Sequence, residues 1–313
     1  MMNKRLTKIS GILLALVLVL ILGACGSSSG SGDVKEVKVG VVGNSDDPIW
    51  KQVNKNLKSQ HIQVKLVKFS DGIIANQSLD NKELDLTAFQ HYAFLHQEEK
   101  QKGYKFTVIG DSYIVPLNVY SDKLKSLNQI KKGDKIAIPN NVTNAGRALK
   151  VLESAGLIKL DPSKGYSPAV KDIIENKKQV KIVEVDPAKI PSLLPDFAAG
   201  ITNSNFILDN KMDPVKDSIY SIKPDLSDTN NKPWINVIVA RTADKNNGVY
   251  KKVVKAYQTQ SVANTIKKHI TVYMYPRLND TININEAKRS VSSWQKLKVS
   301  PLIIRRFLRL MCA

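Results

Sequence analysis

Cysteine is nearly missing from this chain: there are two in 313 residues, Cys25 and Cys312. With none between them, no disulfide framework and no cysteine-based metal site can be built in the body of the protein. Histidine is almost as scarce. His61, His91, His96 and His269 show no metal-ligand spacing, and His91 and His96, five apart, fall on different faces of a helix. The reading is therefore no metal and no cofactor. The body also lacks a G-x-S-x-G turn, a nucleophilic cysteine and a carboxylate pair placed for acid–base work, so a secreted hydrolase or transferase has nothing to build on, and the chain reads as a non-enzyme. Acidic residues are outnumbered, 28 against 47 Lys and Arg, for a net charge of +19. Three of those charges (Lys4, Arg5, Lys8) lie at the start and a net six lie in residues 269–313, which leaves +10 over the rest, mostly evenly spread lysine. No arginine-rich stripe interleaved with aromatics appears, which excludes the usual nucleic-acid footprint. Scattered lysine marks a solvated face lying near anionic lipid.

What is present begins with Lys4, Arg5 and Lys8, an unbroken apolar run over residues 12–22, and small residues before Cys25. A basic region, a short apolar region and a small-residue cleavage site make a secretory signal; the run is too short to span a bilayer. Leu22-Gly23-Ala24-Cys25 resembles the bacterial lipobox. That resemblance implies cleavage before Cys25 and lipid attachment, palmitate among the acyl chains, to its sulfur; a plain signal peptide is the alternative. Gly-Ser-Ser-Ser-Gly-Ser-Gly follows, a flexible tether with no means of forming a core. The chain is thus expected at the extracytoplasmic face of the cell membrane, held by a lipid anchor. With no transmembrane segment in the mature chain, transport would need other subunits.

The body, about 245 residues, is long enough for two lobes. Residues 36–42 and 62–69 read as strands, 84–88 as a short third and 105–109 as a fourth. Helices are predicted over 49–59, 71–79 and 91–102, the last closed by Gly103. Residues 113–120 behave as a crossover strand. The alternation then repeats, with strands at 135–138, 180–185 and 200–202 and helices at 147–155 and 190–199. A second crossover at 235–240 precedes an amphipathic helix over 249–268 that would return to the first lobe. Strands alternating with helices imply right-handed βαβ units, and two passes of chain between two α/β lobes imply a hinged clamshell with its ligand in the crevice. The expected domains are 1–24, signal; 25–34, lipidated Cys25 and tether; 35–115 with 236–268, first lobe; 116–235, second lobe; and 269–313, an atypical tail.

The most informative stretch is KIAIPNNVTNAGRALKVLESAGLIKL, residues 135–160. A strand is stopped by Pro139, a polar turn offers Thr143 or Asn144 as N-cap, and Gly146 and Arg147 follow in the first helical turn, with Gly156 as C-cap. Backbone N–H groups, the helix dipole and a bidentate guanidinium would converge on one point, which suits a carboxylate.

Several landmarks then line up in order: Val67-Lys68-Phe69, Thr87-Ala88-Phe89-Gln90-His91, Tyr113 to Pro116, Ile138-Pro139-Asn140, Thr143-Asn144-Ala145-Gly146-Arg147, Ile201-Thr202-Asn203, Trp234-Ile235-Asn236-Val237-Ile238-Val239 and Ala256-Tyr257-Gln258. Together they resemble the methionine-binding substrate lipoproteins of ABC importers, the NlpA/MetQ lipoprotein family. The resemblance covers residues 37–268 and implies a two-lobed clamshell like the type II periplasmic binding proteins, with an ABC permease and its ATPase subunits as partners. It implies that Arg147 takes the ligand carboxylate, that Asn203 and Asn236 hold the amino-acid head group with Asn144 beside them, and that Phe69, Phe89, His91 and Tyr92 wall the side-chain pocket. A zwitterion independently needs a fixed cation, neutral acceptors for its ammonium and an apolar slot for a thioether. Val115 and residues 43–47 depart from the family's usual wording. They leave another small amino acid or a methionine-containing dipeptide as alternative ligands; a surface adhesin is a more distant alternative.

The family ends soon after its last helix in a segment close to Tyr-Asn-Gly-x-Tyr-Val-Pro-Ala-aromatic, whereas this chain reads Lys268-His269-Ile270-Thr271-Val272-Tyr273-Met274-Tyr275-Pro276-Arg277 and runs on to Ala313. Read one base earlier from the last base of the Lys268 codon, the permitted codons include Thr-Tyr-Asn-Gly-Val-Tyr-Val-Pro-Ala. The tail from His269 is therefore read as out-of-frame translation after a single-base slip. A basic amphipathic extension that binds membrane is the rival reading. Independent reads of the coding sequence across residues 267–270 separate the two.

Overall fold

The computed structural model describes residues 34–222 and 229–269. The signal segment, Cys25, the tether and all of the tail after His269 lie outside the described residues.

Twelve strands are described: β1 (Lys35–Val42), β2 (Ile62–Phe69), β3 (Leu86–Thr87), β4 (Phe106–Asp111), β5 (Leu117–Tyr120), β6 (Lys135–Pro139), β7 (Lys159–Leu160), β8 (Ile173–Glu175), β9 (Lys181–Val185), β10 (Ala199–Asn203), β11 (Ser218–Tyr220) and β12 (Val237–Arg241). They form one sheet in the order β2-β1-β3-β12-β4, another in the order β11-β5-β10-β6-β9, and a β7-β8 ribbon. In the first sheet β1 and β3 are parallel while β12 runs antiparallel to both β3 and β4. In the second, β10, β6 and β9 are parallel and β5 is antiparallel to β10. Two mixed sheets, one of them completed by a strand from late in the chain, make the two-lobed fold of the periplasmic binding proteins.

The central strands of each sheet are buried on both faces, which is why they read as apolar runs, while edge strands such as β2 alternate. Along β12 the period of two sorts the side chains: Ile238 and Ala240 enter a core with Val37, Val39, Ile49 and Trp50, while Val237 and Val239 enter another with Leu79, Leu95 and Phe106. The second sheet divides likewise, with Ile136 and Ile138 on one face and Ala137 and Tyr120 on the other.

Among the described residues eight α-helices pack on these faces: α1 (Asp47–Leu57), α2 (Gly72–Asp80), α3 (Tyr92–Lys102), α4 (Val142–Ser154), α5 (Ile190–Leu193), α6 (Ser204–Asp209), α7 (Gly248–Tyr257) and α8 (Gln260–His269). Pro48 in the first turn starts α1, whose Ile49, Trp50, Val53 and Leu57 face the core, and Trp50 meets Tyr257 of α7 at 5.2 Å. The C-terminal helices thus return to the first lobe.

Four expectations are corrected. The helix expected from residue 147 begins at Val142, because Asn141 caps it by accepting from the Asn144 N–H; Arg147 therefore sits in the second turn. The helix expected over 190–199 is α5 followed by a 3₁₀ turn, Leu194–Asp196, where Pro195 has no N–H to continue it. The helix expected over 249–268 is broken between α7 and α8, where Thr259 Oγ1 accepts from the Val262 N–H and starts a new helix. The crossover expected as a strand over 113–120 pairs in the second sheet only from Leu117. Before that it runs against the other crossover instead: Ser112 N–H donates to the Asn236 carbonyl at 2.8 Å, and Asn236 N–H donates to the Tyr113 carbonyl at 2.7 Å.

Candidate functional site

The two crossovers floor a cavity of about 240 Å³ between the lobes. The first lobe contributes the ends of β1 and β3 and the starts of α2 and α3; the second contributes the starts of α4 and α6. Six of the eight residues singled out from the sequence line it: Arg147, Asn144, Asn203, Asn236, Phe89 and His91.

Arg147 is 8% exposed. Its Nη2 donates to the Val115 carbonyl of the first crossover, and its guanidinium lies over the Trp234 ring, 5.1 Å from the centroid. Burial alone pulls its pKa down to about 10. Among the described residues no carboxylate pairs with it. A buried guanidinium without a counter-charge is costly, and it is a ready anion receptor.

His91 caps α3: its Nδ1 accepts from the Phe94 N–H at 3.1 Å. That fixes the neutral Nε2–H tautomer, whose proton points at Asn144 Oδ1, 3.1 Å away on the other lobe. Burial first, and then the Arg147 charge, push its pKa down to about 3, so the ring stays neutral. Asn144 Oδ1 is also approached by Asn203 Nδ2 at 3.5 Å. This leaves Asn203 Oδ1 buried with no protein partner, an orphan acceptor on the cavity wall. Asn236 is held by its backbone in the paired crossovers.

The apolar end is formed by Phe89 and Phe94, edge to face at 6.1 Å, with Ile73 beside them. Gly72 lets Phe89 in: a Cβ there would lie 2.3 Å from the ring. Phe69 and Tyr92 are not brought to the cavity. Phe69 packs against the core holding Leu79 and Leu95, and the Tyr92 hydroxyl donates to Asp111 at 2.7 Å. Both follow from register, since the side chain next to a cavity-facing residue points the other way along strand or helix.

Besides Phe94 and Ile73, four further residues of this region were not singled out as site residues in the sequence. Trp234, noted only as a landmark, backs the guanidinium. Tyr113 and Asp46 form a buried hydroxyl–carboxylate pair at 3.0 Å on the cavity wall. Asp209, at the end of α6, accepts from the Asn44 N–H of the first lobe at 3.1 Å. Asp46 had a signal, two adjacent acids before Pro48, but one acid suffices to start a helix.

The family model for the NlpA lipoproteins matches residues 37–277. The chain belongs to this family. It is 34% identical over 257 residues to the D-methionine-binding lipoprotein MetQ of Escherichia coli, covering 81% of this chain and 92% of that one. It is 37% identical over 246 residues to outer membrane lipoprotein 3 of Mannheimia haemolytica, covering 78% and 89%. Among solved structures, a nutrient-binding protein from Burkholderia cenocepacia bound to methionine matches with a TM-score of 0.72 and 38% identity, over 77% of this chain and 99% of that one. The substrate-binding protein of a methionine transporter from Streptococcus pneumoniae matches with a TM-score of 0.71 and 33% identity, over 77% and 95%. These relatives are named for binding or as lipoproteins, none for turnover.

Proposed function

We propose that this family member is the extracytoplasmic substrate-binding lipoprotein of an ABC amino-acid importer, anchored through Cys25, non-enzymatic, and that its ligand is methionine. The observation that carries the reading is Arg147: a buried guanidinium with no counter-charge among the described residues, lining a cavity that also holds Asn203 Oδ1, an acceptor without a partner among those residues. The ligand carboxylate sits on the guanidinium. Its ammonium is taken by the Asn203 and Asn236 carbonyls, and its thioether lies against Phe89, His91 and Phe94.

The lobes, residues 35–115 with 236–268 and residues 116–235, close about the paired crossovers. The His91–Asn144 contact forms as they close, so the ligand selects the closed state by bridging groups from both sides. Delivery then falls to a permease and its ATPase subunits, since no helix among the described residues is long and apolar enough to cross a membrane.

The test is calorimetry on chain purified through unfolding to strip any bound ligand. Tight one-to-one binding of L-methionine, abolished by Arg147→Ala, is the expected result. A response only to another amino acid or a methionine-containing dipeptide changes the ligand and keeps the site. No response to any zwitterion overturns the reading.

A further inference from the structure

Besides Arg147, the cavity wall carries one other strongly buried charged group, Asp46, which is 7% exposed. It stands immediately before α1, where an aspartate ordinarily caps the helix, yet its side chain makes no capping bond. The backbone carbonyl takes the Ile49 and Trp50 N–H groups, and the carboxylate is left for the cavity. There it accepts the Tyr113 hydroxyl, at 3.0 Å to Oδ1 and 3.1 Å to Oδ2.

The other acids on the wall are already engaged at the rim. Asp71 accepts from the Ile73 N–H and is exposed, while Asp186 accepts from the Ala188 N–H and is half-buried. The first crossover links the two buried charges: its Val115 carbonyl holds the guanidinium and, two residues earlier, Tyr113 holds the carboxylate. The Asn236 N–H on the other crossover donates to the Tyr113 carbonyl, and Asn236 lines the same cavity. One cavity thus presents a single buried cation and a single strongly buried carboxylate on a shared support, the complement of a zwitterion.

Building on the zwitterion reading above, we propose that Asp46 is the counter-charge for the ligand's ammonium group, and so the residue by which this site distinguishes a free amino acid from an analogue that lacks the amine. Neutral asparagine carbonyls accept an ammonium's hydrogen bonds but do not balance its charge. In a low-dielectric cavity the charge governs the preference, and it acts across several ångströms.

The groups facing Asp46 leave this role vacant. They are the Tyr113 hydroxyl on the crossover, Ser45 beside it, Tyr257 on α7, Asp209 at the end of α6 and Asp47 on its own helix, with no cation among them. Lys68, whose Nζ reaches this loop, is bound to Asp47 at 2.6 Å and to Asn44. Burial, with Asp209 and Asp47 adding to it, lifts the Asp46 pKa to about 7. An arriving ammonium reverses that shift. Binding therefore releases the proton, and affinity rises as pH climbs through 7.

The experiment compares L-methionine with 4-(methylthio)butanoate, the same molecule without its amine, by calorimetry on stripped full-length chain. At pH 8, Asp46→Asn is expected to weaken methionine by about tenfold or more while changing the butanoate by less than about threefold, since only the amine meets the carboxylate. Asparagine keeps the shape and the Tyr113 contact, and a thermal melt checks the fold. Wild-type chain supplies a measurement that needs no variant. In two buffers of different ionisation enthalpy at pH 7, methionine is expected to release about half a proton and the butanoate none.

Methionine binding within threefold of wild type in Asp46→Asn, or no proton release in the wild type, overturns the proposal even while Arg147-dependent binding survives. If no amino acid binds the wild type at all, the functional reading fails first, and Asp46 has no ammonium to balance.

Discussion

Arg147 and Asp46 are charges held where water has been excluded, and each makes a distinct prediction. Replacing an unpaired buried charge with an apolar group of similar length removes a desolvation penalty. Arg147→Met is therefore expected to raise the melting temperature of the ligand-free protein by a few degrees, on the order of 1 kcal/mol, while removing the ligand response. Arg147→Lys keeps the charge but not the planar fork, and weakens methionine by roughly ten- to a hundredfold in calorimetry.

The ionisable pair His91 and Asp46 sets a pH signature in the ligand-free protein. His91, with its folded pKa near 3 against 6.5 unfolded, binds fewer protons when folded, so its contribution to stability grows as pH rises from about 3 to 6.5. Asp46, with its folded pKa near 7 against 3.8 unfolded, binds more protons when folded, so its contribution is present at low pH and is lost as pH rises from about 4 to 7. The two slopes oppose each other between pH 4 and 6.5. Urea titrations across that window should show Asp46→Asn gaining stability with pH relative to wild type, and His91→Gln losing it. Each difference has an upper limit of about 1.4 kcal/mol per pH unit. Equal slopes in all three proteins would contradict the burial-driven shifts described for both groups.

At the scale of the element, α4 gives up helix propensity to let another segment of the chain pack closely against it. Gly146 costs helix propensity, but a Cβ there would lie 3.0 Å from the Pro168 carbonyl and from Ser167 Cα. Those are backbone atoms that cannot swing aside, so Gly146→Ala, normally favourable in a helix, should destabilise the protein by about 1 kcal/mol or more in thermal or urea unfolding.

The strand and helix order of both lobes was legible in the sequence, because apolar runs and period-two alternation follow directly from burial on one or both faces of a sheet. The ends of elements were less so. The sequence reading placed the cap of α4 at Thr143 or Asn144, but the helix is capped earlier, by Asn141, whose Oδ1 accepts from the Asn144 N–H. The break between α7 and α8 was hidden because Thr259 interrupts an apolar stripe that continues on both sides. The short strands β7, β8 and β11 carried too few residues to show any period.

For the whole molecule, the contacts that cross between the lobes include His91 with Asn144, Leu208 of α6 against the core of the first lobe, and Asp209 with the Asn44 N–H. The last depends on Gly43, whose φ of +79° and missing Cβ leave the space that the Asp209 carboxylate fills, 2.1 Å from where a Cβ would stand. Asp209 is exposed, so its bond is worth little alone. In the proposed closure this bond belongs to the closed state, so Asp209→Ala should act on ligand release: stopped-flow dissociation of methionine is expected to speed up by about two- to fivefold, with little change in the association rate. An unchanged dissociation rate would mean that this contact does not hold the closed state.

The sequence by itself determined the compartment signals and the two-lobed alternation, which follow from composition and period, and it marked Arg147 by its strand–turn–helix setting; Asn203 and His91 were marked only through the resemblance to the NlpA/MetQ family. Six of the eight residues it singled out converge on one cavity. Phe69 and Tyr92 do not, since a period of two or 3.6 fixes which neighbours share a face but not which face meets the crevice. Only the tertiary structure decided that Arg147 has no counter-charge, that Asn203 Oδ1 is orphaned, and that Asp46, Tyr113, Trp234 and Asp209 belong to the same region. Those facts depend on what is brought within a few ångströms from distant parts of the chain and on how much water is left around it, and neither is written in local sequence.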